Sequence, residues 1–469
     1  MQNPLLNMLK RIQENRTWIA VALFLFASTA TFAQSVAGLA GISGVVRDSS
    51  DAVVPNATVV VSNEAKGIVR NLTTNQVGVF TAPALPPASG YNVSVNASGF
   101  ATYNANDLQL EVGANLNLNV ILSITRTIID VDLMSSAGII EDTKSGISQV
   151  IGTREIGSLP INGRRVDSFV LLTPGVTNDG SFGLLTFRGV AGGNSFLLDG
   201  SDTTEQYFNE NAGRTRIASQ ASQDAVQEFQ VLSANFSAEH GRASGGVVNT
   251  VTRSGSNDFH GTLYWFFRNR TLNARDRYAS FNPPEVRHQA GFSAGGALLK
   301  DKLFYFLNFD ITRRDFPISS SINRPGVIDG TTMRFLGCGA PATTEQCSAI
   351  NNVLPRHFGL INRQANQELG LGKLDWRPTE RNSFSASMNF LHFVSPNGIQ
   401  SAIATTNGSA VGSNGDDAVR VRNANVSWTS IPGATSVNQF RFSWFTGRQA
   451  DTFNQDLFWP GMALGSLTV

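Results

Sequence analysis

The residues that could do chemistry are few and scattered. Arg188-Gly-Val-Ala-Gly-Gly193 has the glycine density of a phosphate-cradling loop. It lacks the Gly-Lys-Ser/Thr ending of a P-loop and the strand–helix frame of a dinucleotide site, so it reads as a turn. The five histidines (His240, His260, His288, His357 and His392) are dispersed with no His-x-x-x-His pair, and no metal site is expected of them. Asp199, Asp202 and Glu205 cluster after an apolar run and could face a cation, although acids so placed more often make turns. Cys338 and Cys347 stand nine positions apart. In an oxidising compartment they are expected to pair and stiffen a loop. No catalytic constellation, cofactor site or metal site is assigned, and the chain is read as not an enzyme.

The elements around these residues explain the sparseness. Of the 469 residues only 15% are charged, well under the roughly 25% of ordinary soluble proteins. Lys and Arg total 36 against 35 Asp and Glu, which leaves no electrostatic footprint for nucleic acid. Gly is used 44 times and Phe 31 times, which points to many strands and turns. At the start, Lys10, Arg11 and Arg16 precede the apolar run Trp18 to Phe26, and Thr31-Phe-Ala33 offers small residues at −3 and −1. Residues 1–33 therefore read as a secretory signal peptide, the run being short of the roughly 20 residues that span a bilayer.

Residues 40–124 alternate in short strands such as Ala57-Thr-Val-Val-Val-Ser62 and Tyr91-Asn-Val-Ser-Val95, broken by Pro55, Pro83, Pro86 and Pro87. That spacing predicts a β-sandwich. Residues 125–152 read as a linker. Within it Thr127-Ile-Ile-Asp-Val-Asp132 is β-prone and could add to the sheet edge of a partner; the plain alternative is a last strand of the sandwich. Residues 153–253 mix elements: a helix through Val166, Phe169, Val170 and Leu172, strands at Phe196-Leu-Leu198 and Val226 to Val231, and a Gly-rich strand closing at Thr252.

From residue 259 the texture changes to segments of about ten residues, apolar on one face and polar on the other. Leu303, Tyr305, Leu307, Phe309 and Ile311 oppose Phe304, Phe306, Asn308, Asp310 and Thr312. Phe384, Ala386, Met388 and Phe390 oppose Ser383, Ser385, Ser387 and Asn389. Tight turns (Lys300-Asp301, 379–382, 431–433) alternate with long loops (270–286, 314–365, 395–417), the asymmetry of an outer-membrane barrel. Trp265, Phe267, Trp376, Trp428 and Trp444 read as its interfacial girdle. About seven strands are counted. A closed barrel of 22 strands would take roughly 450 residues more, so the sequence is expected to stop within its barrel. The predicted fold class is mainly β: an N-terminal sandwich, a mixed α/β domain and the first strands of a transmembrane antiparallel barrel over 259–469.

Several runs then carry a resemblance. Ile42-Ser-Gly-Val-Val-Arg-Asp48, Val54-Pro-Asn-Ala-Thr58 and Ser98-Gly-Phe100 resemble the carboxypeptidase-regulatory-like domain, without peptidase chemistry. Leu159-Pro-Ile-Asn-Gly-Arg-Arg165, Leu171-Leu-Thr-Pro-Gly-Val176, Phe187-Arg-Gly-Val190 and Leu197-Leu-Asp-Gly200 resemble the plug of TonB-dependent outer-membrane receptors. Val226-Gln-Glu-Phe229, Ser237 to Asn249 and Thr252 to Asn257 continue the likeness, and Lys300-Asp-Lys-Leu-Phe304 brings it nearest the Oar-like subgroup. The resemblance implies a plug at 153–253 lodged in a barrel, with Arg188, Gly189, Asp199 and Gly200 as its motif residues. It further implies import of a ligand, whose identity the residues do not indicate, driven by the TonB–ExbB–ExbD complex. Thr127, Ile128, Ile129, Asp130, Val131 and Asp132 are the positional candidates for contact with TonB. Outer-membrane lipid and the barrel-assembly machinery are the other partners implied, with the sandwich in the periplasm. A structural or adhesive outer-membrane protein, not coupled to transport, is the alternative.

Overall fold

Alternation in the first hundred residues after the leader drives two sheets together. A computed structural model of the chain describes residues 38–454, apart from 125–128, 133–146, 162–163, 180–183, 206–209, 212–219, 237–239, 276–281, 283, 322–327, 330–333, 337, 339–340, 358, 399–404, 408–413 and 434–435. The signal peptide expected over 1–33 lies outside the described residues, as do Thr127 and Ile128. The strand Asn115–Leu122 shows the governing pattern: Leu116, Leu118, Val120 and Leu122 are buried and the residues between them exposed. It pairs in parallel with Ala40–Asp48, which pairs antiparallel with Val79–Leu85. Facing this sheet are Ile68–Thr73, Thr58–Asn63, Ala88–Asn96, Tyr103–Leu110 and Ile129–Asp132, in that order. Ile42, Val59, Val61, Phe80, Tyr91 and Val93 fill the space between the sheets. Each such side chain contributes about 1.5–3 kcal/mol on leaving water, ample for a core of its own.

The next unit is a five-stranded mixed sheet ordered Ser201–Asp202, Ser195–Leu198, Val247–Thr252, Val226–Ala234, Ile147–Ile151. Phe169, Phe187, Phe196, Phe229 and Val231 form its smaller core. The helical periodicity before Thr173 resolves as the 3-10 helix Val166–Leu172. Two details differ from the sequence reading. Ile147–Ile151, read as the end of the linker, is the sheet's edge strand and pairs with 229–234. The Gly-rich run is extended only from Val247; Gly246 before it lies against the Phe187 ring, where a Cβ would be 2.3 Å from Cδ1.

The remaining chain builds one seven-stranded antiparallel meander: His260–Asn269, Val286–Leu299, Leu303–Asp315, Gln364–Thr379, Asn382–Ser395, Gly415–Gly433 and Ser436–Phe453. Short turns and long loops fall as their composition indicates, with one shift. The strand expected to turn at 431–433 runs through Pro432 to Gly433 and absorbs the proline in a bulge after Ser430, where no ladder donor is required. Among the described residues no helix is long and apolar enough to cross a membrane. Strands of 10 to 19 residues are long enough to do so, about 9–11 being needed at a tilt.

Register aligns the sheet's outward residues in rows. Leu303, Trp376, Phe384, Trp428 and Phe440 pair successively beside the short turns. Their rings stack, Trp376 on Phe384 at 5.2 Å and Phe384 on Trp428 at 5.9 Å. Leu307, Met388 and Trp444 continue the exposed apolar face higher up. Towards the long loops Trp265 and Phe267 bracket His288, with centroids at 5.9 and 4.9 Å. The opposite face buries Asn308, Asp310, Lys373, Asp375, Asn389 and Asn425. A sheet apolar outside and polar inside, edged by aromatics, is part of a transmembrane barrel wall.

Candidate functional site: the plug on the barrel wall

The five-stranded unit sits on the polar face of the meander and is held there mostly by single polar contacts. Asn389 Nδ2 donates to Gln220 O at 3.0 Å, and Asn425 Nδ2 to Leu198 O at 3.4 Å. Ser222 Oγ lies 3.4 Å from Asp310 Oδ2. The Arg164 guanidinium pairs with Asp224 and lies 4.5 Å over the Tyr264 ring. The shared dry contact is small, Ala225 against Phe306 and Leu371.

The Asp199-Gly200 turn is the densest of these contacts. Both residues have positive φ (50° and 75°) between the paired Leu198 and Ser201, the two-residue hairpin geometry that matches strand twist. The bend aims the Asp199 carboxylate sideways. Its oxygens accept from Thr252 N at 2.8 Å and Thr252 Oγ1 at 2.7 Å, and Lys373 Nζ of the barrel lies at 3.4 Å. Arg441 Nη1 donates to Gly200 O at 2.8 Å. Arg188-Gly189 makes a second turn of the same kind between Phe187 and Val190, and Arg188 Nη2 donates to Gly245 O at 3.4 Å.

The acidic cluster is thereby taken up, Asp199 as described and Asp202 by Arg242 at 2.9 Å. Among the described residues no group of three or more His, Cys, Asp and Glu is placed to hold a metal ion. Gly291-Phe-Ser293-Ala-Gly295, a Gly-x-Ser-x-Gly run, lies flat inside a barrel strand. Ser293 Oγ there is 2.7 Å from Thr262 Oγ1, which is not the exposed elbow of a hydrolase. In place of the expected disulfide the structure has two free thiols, Cys338 and Cys347. Cys338 Sγ is engaged by Phe335 O at 3.6 Å and by Asn351 Nδ2 at 3.7 Å.

The sandwich docks at the short-turn end of the wall. Lys66 Nζ donates to Ser254 O at 3.1 Å and Gly255 O at 3.0 Å, and Arg377 Nη1 donates to Lys66 O. Asn257 bridges Glu64 O at 2.7 Å and Asp301 Oδ1 at 2.6 Å. Burial brings the Lys66 ammonium down to about 8 despite Asp375 nearby, with Arg377, Lys373 and Arg253 adding like charge. A cavity of about 130 Å³ lies at this junction, lined by Lys66, Asp199, Lys373, Asp375 and Arg377.

A second clasp joins sandwich to plug. Val112 N donates to Glu228 Oε1 at 2.8 Å, and Gln230 Nε2 donates to Val112 O at 3.4 Å. Glu228 is 4% exposed, and burial, with Glu111 adding like charge, pushes its carboxyl up to about 8 against the amide's opposing pull. The docked state therefore favours the protonated acid. Its contribution is full below the ordinary carboxyl value of 4.5 and is lost as pH rises through about 8. Docking of the sandwich is expected to weaken steadily from pH 5 to 8, read as faster hydrogen exchange at the Val112 amide beyond the intrinsic pH effect. Glu228→Gln keeps an acceptor and should abolish that dependence; a variant that stays pH-sensitive would refute the assignment.

These side chains were not singled out in the sequence. Lys66 looks there like an ordinary turn charge, Lys373 and Arg441 like charges on alternating strands, and Glu228 falls in a strand notable only for its likeness, so no local signal marks their partners.

A wall of outer-membrane barrel type, with a five-stranded unit on its inward face and a sandwich at its short-turn end, defines the class. Family models agree in two places: the carboxypeptidase regulatory-like domain matches residues 41–123, and an outer membrane beta barrel domain matches residues 251–327. The chain is similar to the TonB-dependent transporter Oar of Myxococcus xanthus, 27% identical over 338 residues. That match takes in 68% of this chain and 30% of the relative, so the chain spans about a third of that protein's length. Among solved structures, the ferric enterobactin receptor of Pseudomonas aeruginosa matches at a TM-score of 0.45 with 14% identity, over 65% of this chain and 42% of that one. The outer membrane transporter YddB of Escherichia coli matches at 0.43 with 11% identity, over 66% and 40%. The chain thus carries a carboxypeptidase regulatory-like domain and an outer membrane beta barrel domain, and it is similar to a TonB-dependent transporter.

Proposed function

We propose that this chain belongs to a TonB-dependent transporter that imports its ligand past a displaceable plug, with energy delivered from the inner membrane through TonB, ExbB and ExbD. The observation that carries the reading is how the plug is seated. Its contacts with the wall are mostly separate hydrogen bonds from Asn389, Asn425, Lys373 and Arg441, each contributing about 0.5–1.5 kcal/mol net, rather than a shared dry core. Such a seat breaks and re-forms bond by bond, as a plug that moves on every cycle requires.

The coupling segment in this proposal is Thr127 to Asp132. Its described part, Ile129–Asp132, is the outermost strand of the sandwich and pairs in parallel with Tyr103 to Asn106. Four residues of parallel pairing at a sheet edge are a weak hold, open to a partner strand that adds to them or peels them away. The test is a series of single cysteines from Thr127 to Asp132, with Val131→Cys the first, in the full-length protein, matched with a cysteine series in the periplasmic part of TonB. Disulfide trapping in energised cells is the expected result. A trap that fails at every position from Thr127 to Asp132, in protein correctly placed in the outer membrane, would overturn the coupling. It would favour the structural or adhesive alternative, for which the strand's pairing within the sandwich is its final state.

A further inference from the structure

The outward face of the barrel wall does not stay apolar to its upper border. Directly paired across neighbouring strands, on the row that begins at Ile311, stand Glu368, His392, Arg420 and Arg448. Arg422 lies one row nearer the short turns, level with Phe390. Arg420, Arg422 and Arg448 are exposed, and among the described residues they make no ion pair. The nearest acid on this face, Glu368, is committed to Arg313 at 2.5 Å and His392 at 3.5 Å. Among the described residues the other neighbours of the three arginines on this face are Phe390, Val394, Ala418, Ala424, Thr446 and Ala450, none of them acidic, and the strand of Arg448 is the last of the described sheet.

Two arginines directly opposite each other on a sheet repel, and a third beside them adds to the cost. Their depth explains why they are tolerated. From the aromatic row at Leu303 to the row at Ile311 is eight residues, about 27 Å along the strand and, at a tilt of about 35–45°, about 20 Å along the barrel axis, against an apolar band roughly 25 Å tall. The arginines thus lie in the upper part of the band on the long-loop side, where their side chains can extend to the head groups and the cost of a lipid-facing arginine falls well below its midplane value. Beside Arg422 stands Phe390, and below it Met388 and Trp444; all three are exposed and apolar. A cluster of planar guanidinium forks above a greasy slope matches a molecule with phosphates at one end and acyl chains at the other.

We propose that Arg420, Arg422 and Arg448 bind the phosphate groups of a phosphorylated lipid in the membrane leaflet on the long-loop side, its acyl chains lying over Phe390, Met388 and Trp444. The test uses the full-length protein in neutral-detergent micelles. The probes are a bis-phosphorylated acyl-glucosamine disaccharide and the same lipid after enzymatic dephosphorylation, with bound lipid counted by native mass spectrometry. Wild type is expected to hold the phosphorylated probe about tenfold more tightly than the dephosphorylated one. The triple variant R420Q/R422Q/R448Q, checked for a heat-modifiable folded barrel, should lose that preference. Triple replacement by lysine should keep only part of it, because the charge remains without the fork. The comparison of probes on wild type needs no variant to fold. Equal affinity of wild type for the two probes overturns the proposal, as does a folded triple variant that keeps the preference. Release of the probe by excess inorganic phosphate would assign the cluster to free phosphate and overturn the lipid.

Discussion

Replacing Asp199 with alanine is expected to loosen the plug from the barrel wall by about 3 kcal/mol, near the lower end of the cost of stranding one partner of a buried ion pair. The carboxylate holds two groups of Thr252 and faces Lys373 Nζ at 3.4 Å, where Lys373 is 9% exposed. Removal leaves that ammonium with Thr252 oxygens and with Asp375 farther along its own strand, which is why the lower end of the range applies. Alanine also sits poorly at φ 50°, and this adds about 1 kcal/mol at most. Asp199→Asn keeps the turn and the Thr252 contacts, so its effect should be smaller. Lys373→Met should be smaller still, because the carboxylate keeps its bonds to Thr252. Hydrogen exchange of the Ser195–Ser201 amides in the full-length protein reads the outcome: about a hundredfold faster opening for Asp199→Ala. Unchanged protection would show that the plug is held elsewhere.

Gly67→Val should detach the sandwich from the rim of the wall without unfolding it. Gly67 has φ +60°, and a Cβ there would lie 2.5 Å from the Asp301 Cα and 2.6 Å from its carbonyl oxygen. The obstruction is backbone, so no rotamer change relieves it, and a β-branched residue at positive φ adds strain of about 1–3 kcal/mol. The sandwich retains its own core around Ile42, Phe80 and Tyr91 and stays folded. Cysteines at Asn71 and Glu380, whose side chains approach to 3.3 Å, report the docking. Cross-linking of N71C to E380C by a short bifunctional thiol reagent, which spans the gap that the two shorter side chains leave, should be efficient in an otherwise wild-type chain and at least about tenfold poorer with Gly67→Val, since the loss of about 1.4 kcal/mol suffices. Equal cross-linking would mean that the Lys66 and Glu228 clasps hold the sandwich unaided.

Much of the architecture is legible one residue at a time. Side chains alternate across a strand, so Leu303 to Thr312 and Ser383 to Phe390 announce their two faces, and the structure buries Asn308, Asp310 and Asn389 as that alternation requires. Turn chemistry is partly local: Asp199-Gly200 bends where its types allow positive φ, whereas Arg188 adopts φ 52° against the preference of its type and only Gly189 suits the turn. The strand Ile129–Asp132 shows where local reading stops, since β-propensity says that it pairs but not that Tyr103 to Asn106 is the partner.

What the sequence by itself determined is therefore the elements, their faces and the order of units from sandwich to plug to wall. Which charges meet was decided only by tertiary structure. Lys373 and Asp199 are 174 positions apart and Lys66 is 188 from Ser254, distances over which no local pattern carries information. The strand from Gly415 makes the point most sharply. Alternation alone would send Val419 and Val421 to lipid and Arg420 and Arg422 to the lumen. The fold does the reverse, because Leu369, Leu391 and Phe393 line the inside at that height and take the valines into an apolar cluster. The arginines are left on the outer surface in the upper part of the band, where their side chains can extend to the head groups. The depth of a residue in the wall, which only the assembled sheet defines, decides whether a charge belongs inside or out.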